Sequence, residues 1–408
     1  MTVRGVPGIS RSCVIRQLPL QGVGAAGFFG AHDLNMESEA PDPTRGGWQV
    51  QPGGVFLARP SSQARPDLFF VEYRMKKSIV ALAVLGSFAS VASAQSSVTL
   101  FGVIDVAARY TKANGQTLKS LATDGNTSSR LGVRGEEALG GGLKAGFWLE
   151  GAVNADAGTA DTSKFWGRRA TVSLAGEFGE VRLGRNKSVA QLHIEAFDPT
   201  STTGLGKANQ LYSTLGSGVS VARFDNMVSY SLPGNLGGFY GAADVAAGEG
   251  NSAGKAFSGR AGYAAGPLHV SAAFLQAGVG TKYKLSSFGG SYDLGVAKPS
   301  LTFSTNKFGA AKQTIITAAV TAPLGAGNVW ASWTKADANG AAETLKAAYD
   351  ATHLSAGYIH NLSKRTALYT TVSKIENKGA GKIGVLNTPT VAAGGGSGGF
   401  DVGVRHNF

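Results

Sequence analysis

From Val98 to Phe408, apolar and polar residues alternate in runs of about ten, and Gly-rich breaks separate the runs. Successive side chains of a strand point to opposite faces, so this period of two predicts strands with two unlike faces. The last run shows it best, with Phe400, Val402, Val404, His406 and Phe408 on one face and Asp401, Gly403, Arg405 and Asn407 on the other. In the first, Val98, Leu100, Ile104 and Val106 oppose Thr99, Asp105 and Arg109. In the second, Leu131 and Val133 oppose Arg130, Arg134 and Glu136; in the third, Leu143, Ala145, Phe147 and Leu149 oppose Lys144, Trp148 and Glu150.

The breaks fall into two classes. Short ones occupy residues 138–142, 175–179, 233–238, 264–267, 293–297, 323–327 and 361–365. Longer ones occupy 111–127, 154–164, 187–222, 247–256, 277–284, 306–311, 337–350 and 377–398. Seven short and eight long connections imply sixteen strands. A soluble sandwich also alternates, but short connections alternating with long ones, and an even count, fit an all-β antiparallel transmembrane barrel whose first strand pairs with its last. In lipid such closure is required, because every backbone N–H and C=O must find a partner inside the protein. About 16 strands leave a lumen wide enough for water.

Composition agrees. With 59 Gly and only 16% charged residues among 408, the chain is too rich in glycine for helices. A mean hydropathy of zero is too polar for a helical membrane protein. Met75-Lys76-Lys77, an uncharged apolar run from Ser78 to Ala89, and Ala92-Ser93-Ala94 before Gln95 form a secretory leader cleaved between Ala94 and Gln95. The run is too short for a membrane span. Residues 1–74 lack a sustained period and are read as a disordered, non-native upstream extension, 75–94 as the signal peptide and 95–408 as the barrel. The one cysteine, Cys13, lies before the leader, which excludes a disulfide framework or a thiolate metal site in the mature part. Net charge is +12, and removing residues 1–94, with nine Lys/Arg and six Asp/Glu, leaves +9.

At this point the chain resembles the general porins of Gram-negative bacteria, most closely the trimeric type of betaproteobacteria. The matching runs are SVTLFGVID (97–105), SRLGVRGEEALGGGLKAGFWLE (129–150), GRRATVSLAGEFGEVRLGR (167–185), FDNMVSY (224–230) and VGVRHNF (402–408). The resemblance implies a water-filled channel for passive diffusion of small hydrophilic solutes, a homotrimer in outer-membrane lipid and lipopolysaccharide, and no cofactor. It also implies that the third outer loop, residues 187–222, folds inward, with Glu195 and Asp198 on its acidic side. Arg130, Arg134 and Arg168 take inward parity, and Arg130, Arg168 and Arg223 match the family's basic positions; together they form the opposing wall, which Lys144 and Arg109 extend. Arg169 and Arg185 have the other parity and are expected at the rim or a subunit contact, facing lipopolysaccharide phosphates or a neighbouring chain. The terminal Phe408 is implied as the signal read by the barrel assembly machinery. More arginine than acid at the constriction predicts a mild anion preference. The resemblance is looser at Trp148 and Trp166, which stand where more polar residues are usual, and in the glycine-rich last loop.

Other chemistry finds little support. His193, His269, His353, His360 and His406 are scattered, without a nucleophile or metal motif around them. Gly206-Lys207, Gly254-Lys255 and Gly381-Lys382 lack the remainder of a phosphate loop. A sugar-specific channel would need a longer aromatic track than the inward Trp148 and Trp330 supply, and a structural barrel would be plugged. The export signal argues against nucleic acid as a partner.

Overall fold

The computed structural model describes residues 97–250, 254–339 and 348–408. The leader, its cleavage point at Ala94-Gln95 and the segment before it lie outside the described residues. The first strands are β1 (Ser97–Ala113), β2 (Gln116–Thr123), β3 (Arg130–Gly140), β4 (Leu143–Asn154), β5 (Thr159–Ala160), β6 (Arg169–Gly176) and β7 (Gly179–Lys187). Helix α1 (Val189–Phe197) follows, then β8 (Arg223–Ser231), β9 (Phe239–Ala246), β10 (Ala256–Ala265), β11 (Leu268–Ala277) and β12 (Tyr283–Tyr292). The chain ends with β13 (Lys298–Phe308), β14 (Ala311–Leu324), β15 (Gly327–Asn339), β16 (Ala351–Asn361), β17 (Thr366–Asn377) and β18 (Gly396–Asn407).

All pairings are antiparallel, and β1 pairs with β18 from Val103↔Asn407 to Ala113↔Ser397, which closes the sheet. Reciprocal backbone bonds of 3.0 Å between Gly102 and Phe408 extend the seam by one rung. Two of the eighteen strands are not separate staves. β5 pairs only with the outer end of β4, at Val153 and Asn154. β2 and β3 are one stave interrupted at residues 124–129, since β2 pairs with the second half of β1 and β3 with the first. The barrel therefore has sixteen staves, and all seven short breaks fall at turns between strands.

The two faces divide as the alternation requires. Val98, Leu100, Phe147, Val172, Leu183, Phe288, Leu301, Leu354, Val402 and Val404 are exposed on the outside, while Asp105, Thr111, Ser304, Asn306 and Asp401 are buried inside. So large an apolar exterior around a polar interior is the reverse of a soluble sandwich and matches a hydrocarbon surround. Phe408 is exposed outward, its ring lying over Gly102 where any Cβ would collide with it.

The first long break differs from the reading of residues 111–127 as a loop. β1 runs on to Ala113, and Asn114-Gly115, both with positive φ (49° and 74°), turns the chain straight into β2. Asn-Gly between alternating runs is the strongest short hairpin signal, because both central residues of that turn need left-handed backbone. The real excursion is 124–129, which folds into the lumen around Asp105. The backbone N–H groups of Gly125, Asn126 and Thr127 donate to its carboxylate at 3.1, 3.1 and 2.7 Å, and Tyr369 Oη donates to it as well.

Candidate functional site

The longest connection between staves, residues 188–222, turns inward at a closed neck. Ser188 N donates to Ala222 O at 3.0 Å, Ser188 Oγ donates to Val221 O at 2.7 Å, and the same hydroxyl caps α1 by accepting from Gln191 N at 3.1 Å. α1 lays Ala190 and Ile194 on an apolar cluster of the barrel wall that includes Met227, Leu275 and Leu285. Polar bonds fix its position. Val189 N donates to Asp244 at 2.7 Å, and the ring of His193 bridges Ser271 (2.7 Å) and Ser287 (2.9 Å). Beyond the helix, Gly206 passes under the Trp330 ring at a separation no Cβ could enter, and Gln313 holds Leu211 O at 2.9 Å. The loop is thus pinned across the lumen from β9 to β15.

His193 is fully buried, and burial, followed by the charges of Arg260 and His269, lowers its pKa to about 4. The docked helix therefore requires a neutral ring, whereas a ring released to water titrates near its ordinary 6.5. Docking is at full strength above 6.5 and weakens as pH falls toward 4, by up to about 3 kcal/mol. Single-channel records should show more closing events at pH 4 than at pH 7, and His193→Gln, which cannot titrate, should shrink that difference, leaving the part carried by the carboxylates that hold the loop, Asp244 and Glu195.

Between the loop and the opposite wall lies an open passage of about 490 Å³. Its cations are Arg130, Arg168, Lys187, Arg223 and Arg405, and its polar lining includes Asn126 and Thr127 from the interrupted stave and Gln191 and Thr200 from the loop. Two carboxylates accompany them. Glu150 accepts from Arg168 Nε at 2.6 Å and stands 3.9 Å from Arg130 Nε; Glu195 accepts from Lys187 Nζ at 2.7 and 2.8 Å. Arg223 Nε donates to Arg168 O at 3.0 Å and Arg405 Nη1 to Asn126 at 2.9 Å, and neither forms an ion pair among the described residues. Five cations against two carboxylates leave three positive charges.

Of the residues singled out from the sequence, Arg130, Arg168, Arg223 and Glu195 meet here. Arg134 does not. It lies four residues along β3 from Arg130, roughly 13 Å nearer the short-turn end, and stacks over Phe101 and Trp148. Asp198 is buried within the loop, where it accepts from Thr200 N, Thr200 Oγ1, Thr202 N and Ala208 N at 2.8–3.2 Å, so it holds the turn instead of facing the passage. Burial pushes its carboxyl pKa up despite those donors.

Arg169 also departs from its expected outward position. β6 starts at Arg169, whose register partner is the inward Glu150, so inward parity belongs to Arg169, Thr171 and Ser173, and Arg168 reaches Glu150 from just before the strand. Arg185 donates to Asp225 at 2.7 Å and to Gly167 O at 2.6 Å beside a bulge in β7. Arg109 is neutralised by a bidentate pair with Asp401 at 2.7 and 2.8 Å, and Lys144 by Glu136 at 2.8 Å. Lys187, Arg405 and the pairing role of Glu150 were missed. The inward parity of Arg405 and Glu150 was a usable signal, but nothing local marks Lys187.

A family model described as Gram-negative porin matches residues 81–380. Outer membrane porin protein 32 of Delftia acidovorans is 38% identical, the match covering 82% of this chain and all of that protein. An outer membrane porin protein of Bordetella pertussis is 30% identical over 82% of this chain and all of its own length. Among solved structures, an anion-selective porin from Comamonas acidovorans superposes with a TM-score of 0.70 at 36% identity, covering 77% of this chain and all of that one. Closed barrel, inward loop and family match together carry one conclusion: the chain belongs to the Gram-negative porin family and is an outer-membrane diffusion channel, not an enzyme.

Proposed function

We propose that this channel passes small hydrophilic solutes with a mild preference for anions, and that the mature protein, starting at Gln95, works as a homotrimer. The observation carrying the preference is the charge count at the passage, where five cations face two carboxylates and both carboxylates are already paired. An anion entering there exchanges part of its hydration shell for the unpaired faces of Arg223 and Arg405, while a cation meets a repulsive field in a low-dielectric wall. Arginine suits this role because its guanidinium stays charged and its fork matches oxyanions. Loop 188–222 contributes width more than charge, since Lys187 neutralises Glu195. The similarity to a porin described as anion-selective points the same way.

Liposome swelling is the direct test. Among hydrophilic solutes of equal size, anionic ones should enter faster than cationic ones, and equal or reversed rates would remove the preference. A trimer should run as such on native gels in mild detergent, and monomer alone would contradict it.

The terminal Phe408 is proposed as the contact for the assembly machinery, and outer-leaflet lipopolysaccharide as the barrel's lipid partner. Phe408→Ala should lower the amount of folded barrel in the outer membrane several-fold while refolding in detergent changes much less. Equal losses in both settings would reduce Phe408 to a packing role over Gly102.

A further inference from the structure

On the short-turn side of the passage, a second recess of about 460 Å³ opens between β1, β3, β4, β6 and β7. Register places Thr99, Arg134, Trp148 and Thr171 in one row across four staves. The guanidinium groups of Arg134 and Arg169 both lie over the Trp148 indole, 5.0 and 4.3 Å from its centroid. Neither forms an ion pair among the described residues. The two carboxylates present are occupied, Glu136 by Lys144 at 2.8 Å and Glu180 by Arg182 at 2.6 Å. Arg182 Nε is buried there without a hydrogen-bond partner.

A buried guanidinium donor left open beside two cations without counter-ions is chemistry that lacks an acceptor. Trp148 Nε1 donates to Glu150 at 3.1 Å, and Glu150 holds Arg168, so the recess and the passage share one polar chain.

We propose that this recess is a second anion station, which binds a small oxyanion between Arg134, Arg169 and Arg182 beside Trp148. Solutes leaving the passage toward the short turns would pause here, drawn by the two cations that the indole face holds at the recess. The inference deepens the reading of the barrel as an anion-preferring channel and rests on it for its role, though binding itself can be measured separately.

Inorganic phosphate, titrated at constant ionic strength into the purified full barrel in detergent, is the probe. Tryptophan fluorescence should change saturably, and Trp148→Phe should abolish that change. Arg134→Gln with Arg169→Gln should weaken the apparent affinity roughly tenfold, as expected for losing charge-assisted hydrogen bonds. Either single variant should give a smaller loss, which keeps the test available if the double variant does not assemble. A phosphate response that persists in Trp148→Phe, or wild-type affinity in the arginine variants, overturns the proposal. The reversal potential of the same preparation separates the two readings. Anion selectivity without a Trp148 response removes the station alone, whereas cation selectivity with a saturable response removes the channel preference and leaves the station.

Discussion

With Arg168 and Arg223 both replaced by glutamate, the channel should change from anion to cation preference. The passage carries three net positive charges, from Arg130, Arg168, Lys187, Arg223 and Arg405 against Glu150 and Glu195. Each reversal removes two charges, so the pair leaves one net negative. A unit charge several ångströms from a permeating ion is worth about 1 kcal/mol even at the dielectric of water. A change of four charges should therefore move the anion-to-cation permeability ratio by more than about tenfold. The reversal potential in a salt gradient should change sign. Arg134→Glu should do much less, because it lies roughly 13 Å along β3 from Arg130, beyond the screening length of about 8 Å at physiological ionic strength.

The second large effect concerns stability. Asp105→Ala should lower the free energy of unfolding by about 1–3 kcal/mol, because it orphans the buried N–H of Gly125 and leaves the half-buried N–H groups of Asn126 and Thr127 to water. It also removes the acceptor of the Tyr369 hydroxyl. The midpoint of urea unfolding followed by tryptophan fluorescence measures this. Asp105→Asn, which keeps one acceptor oxygen, should fall between the two. An Asp105→Ala midpoint equal to wild type would mean that water replaces the carboxylate and that the inward segment 124–129 is held by something else. The same variant should change conductance, since Asn126, which accepts from Arg405, sits on that segment.

What could be read from the sequence followed the range over which each signal acts. Alternation is local, so strand faces, turn positions and the number of staves were legible, and the buried Asp401 opposite the exposed Val402 is one of many pairs that agree. The extent of the first loop is hidden because the Asn114-Gly115 hairpin turn sits inside a longer polar stretch whose composition does not set it apart. Arg134 has the right parity and the wrong height: parity fixes which face a side chain takes but not its level along the barrel axis, which depends on cross-strand register. Arg169 lies inward although alternation counted from Arg168 places it outward, because the strand begins only at Arg169 and Arg168 does not share its period. Asp198 depends on the internal fold of the loop, where its four donors come from Thr200, Thr202 and Ala208, and no periodic pattern announces such a turn. Burial of Val385 and Val391 in the last long connection, despite its many glycines, belongs to the same class of non-local packing.

The charge balance at the passage is tested most directly by the reversal potential of the wild-type channel in a planar bilayer under a potassium chloride gradient. The balance predicts chloride selectivity that is strongest in dilute salt and fades as the screening length falls from about 10 Å at 0.1 M to about 3 Å at 1 M. Potassium selectivity, or a chloride preference unaffected by salt concentration, would contradict it.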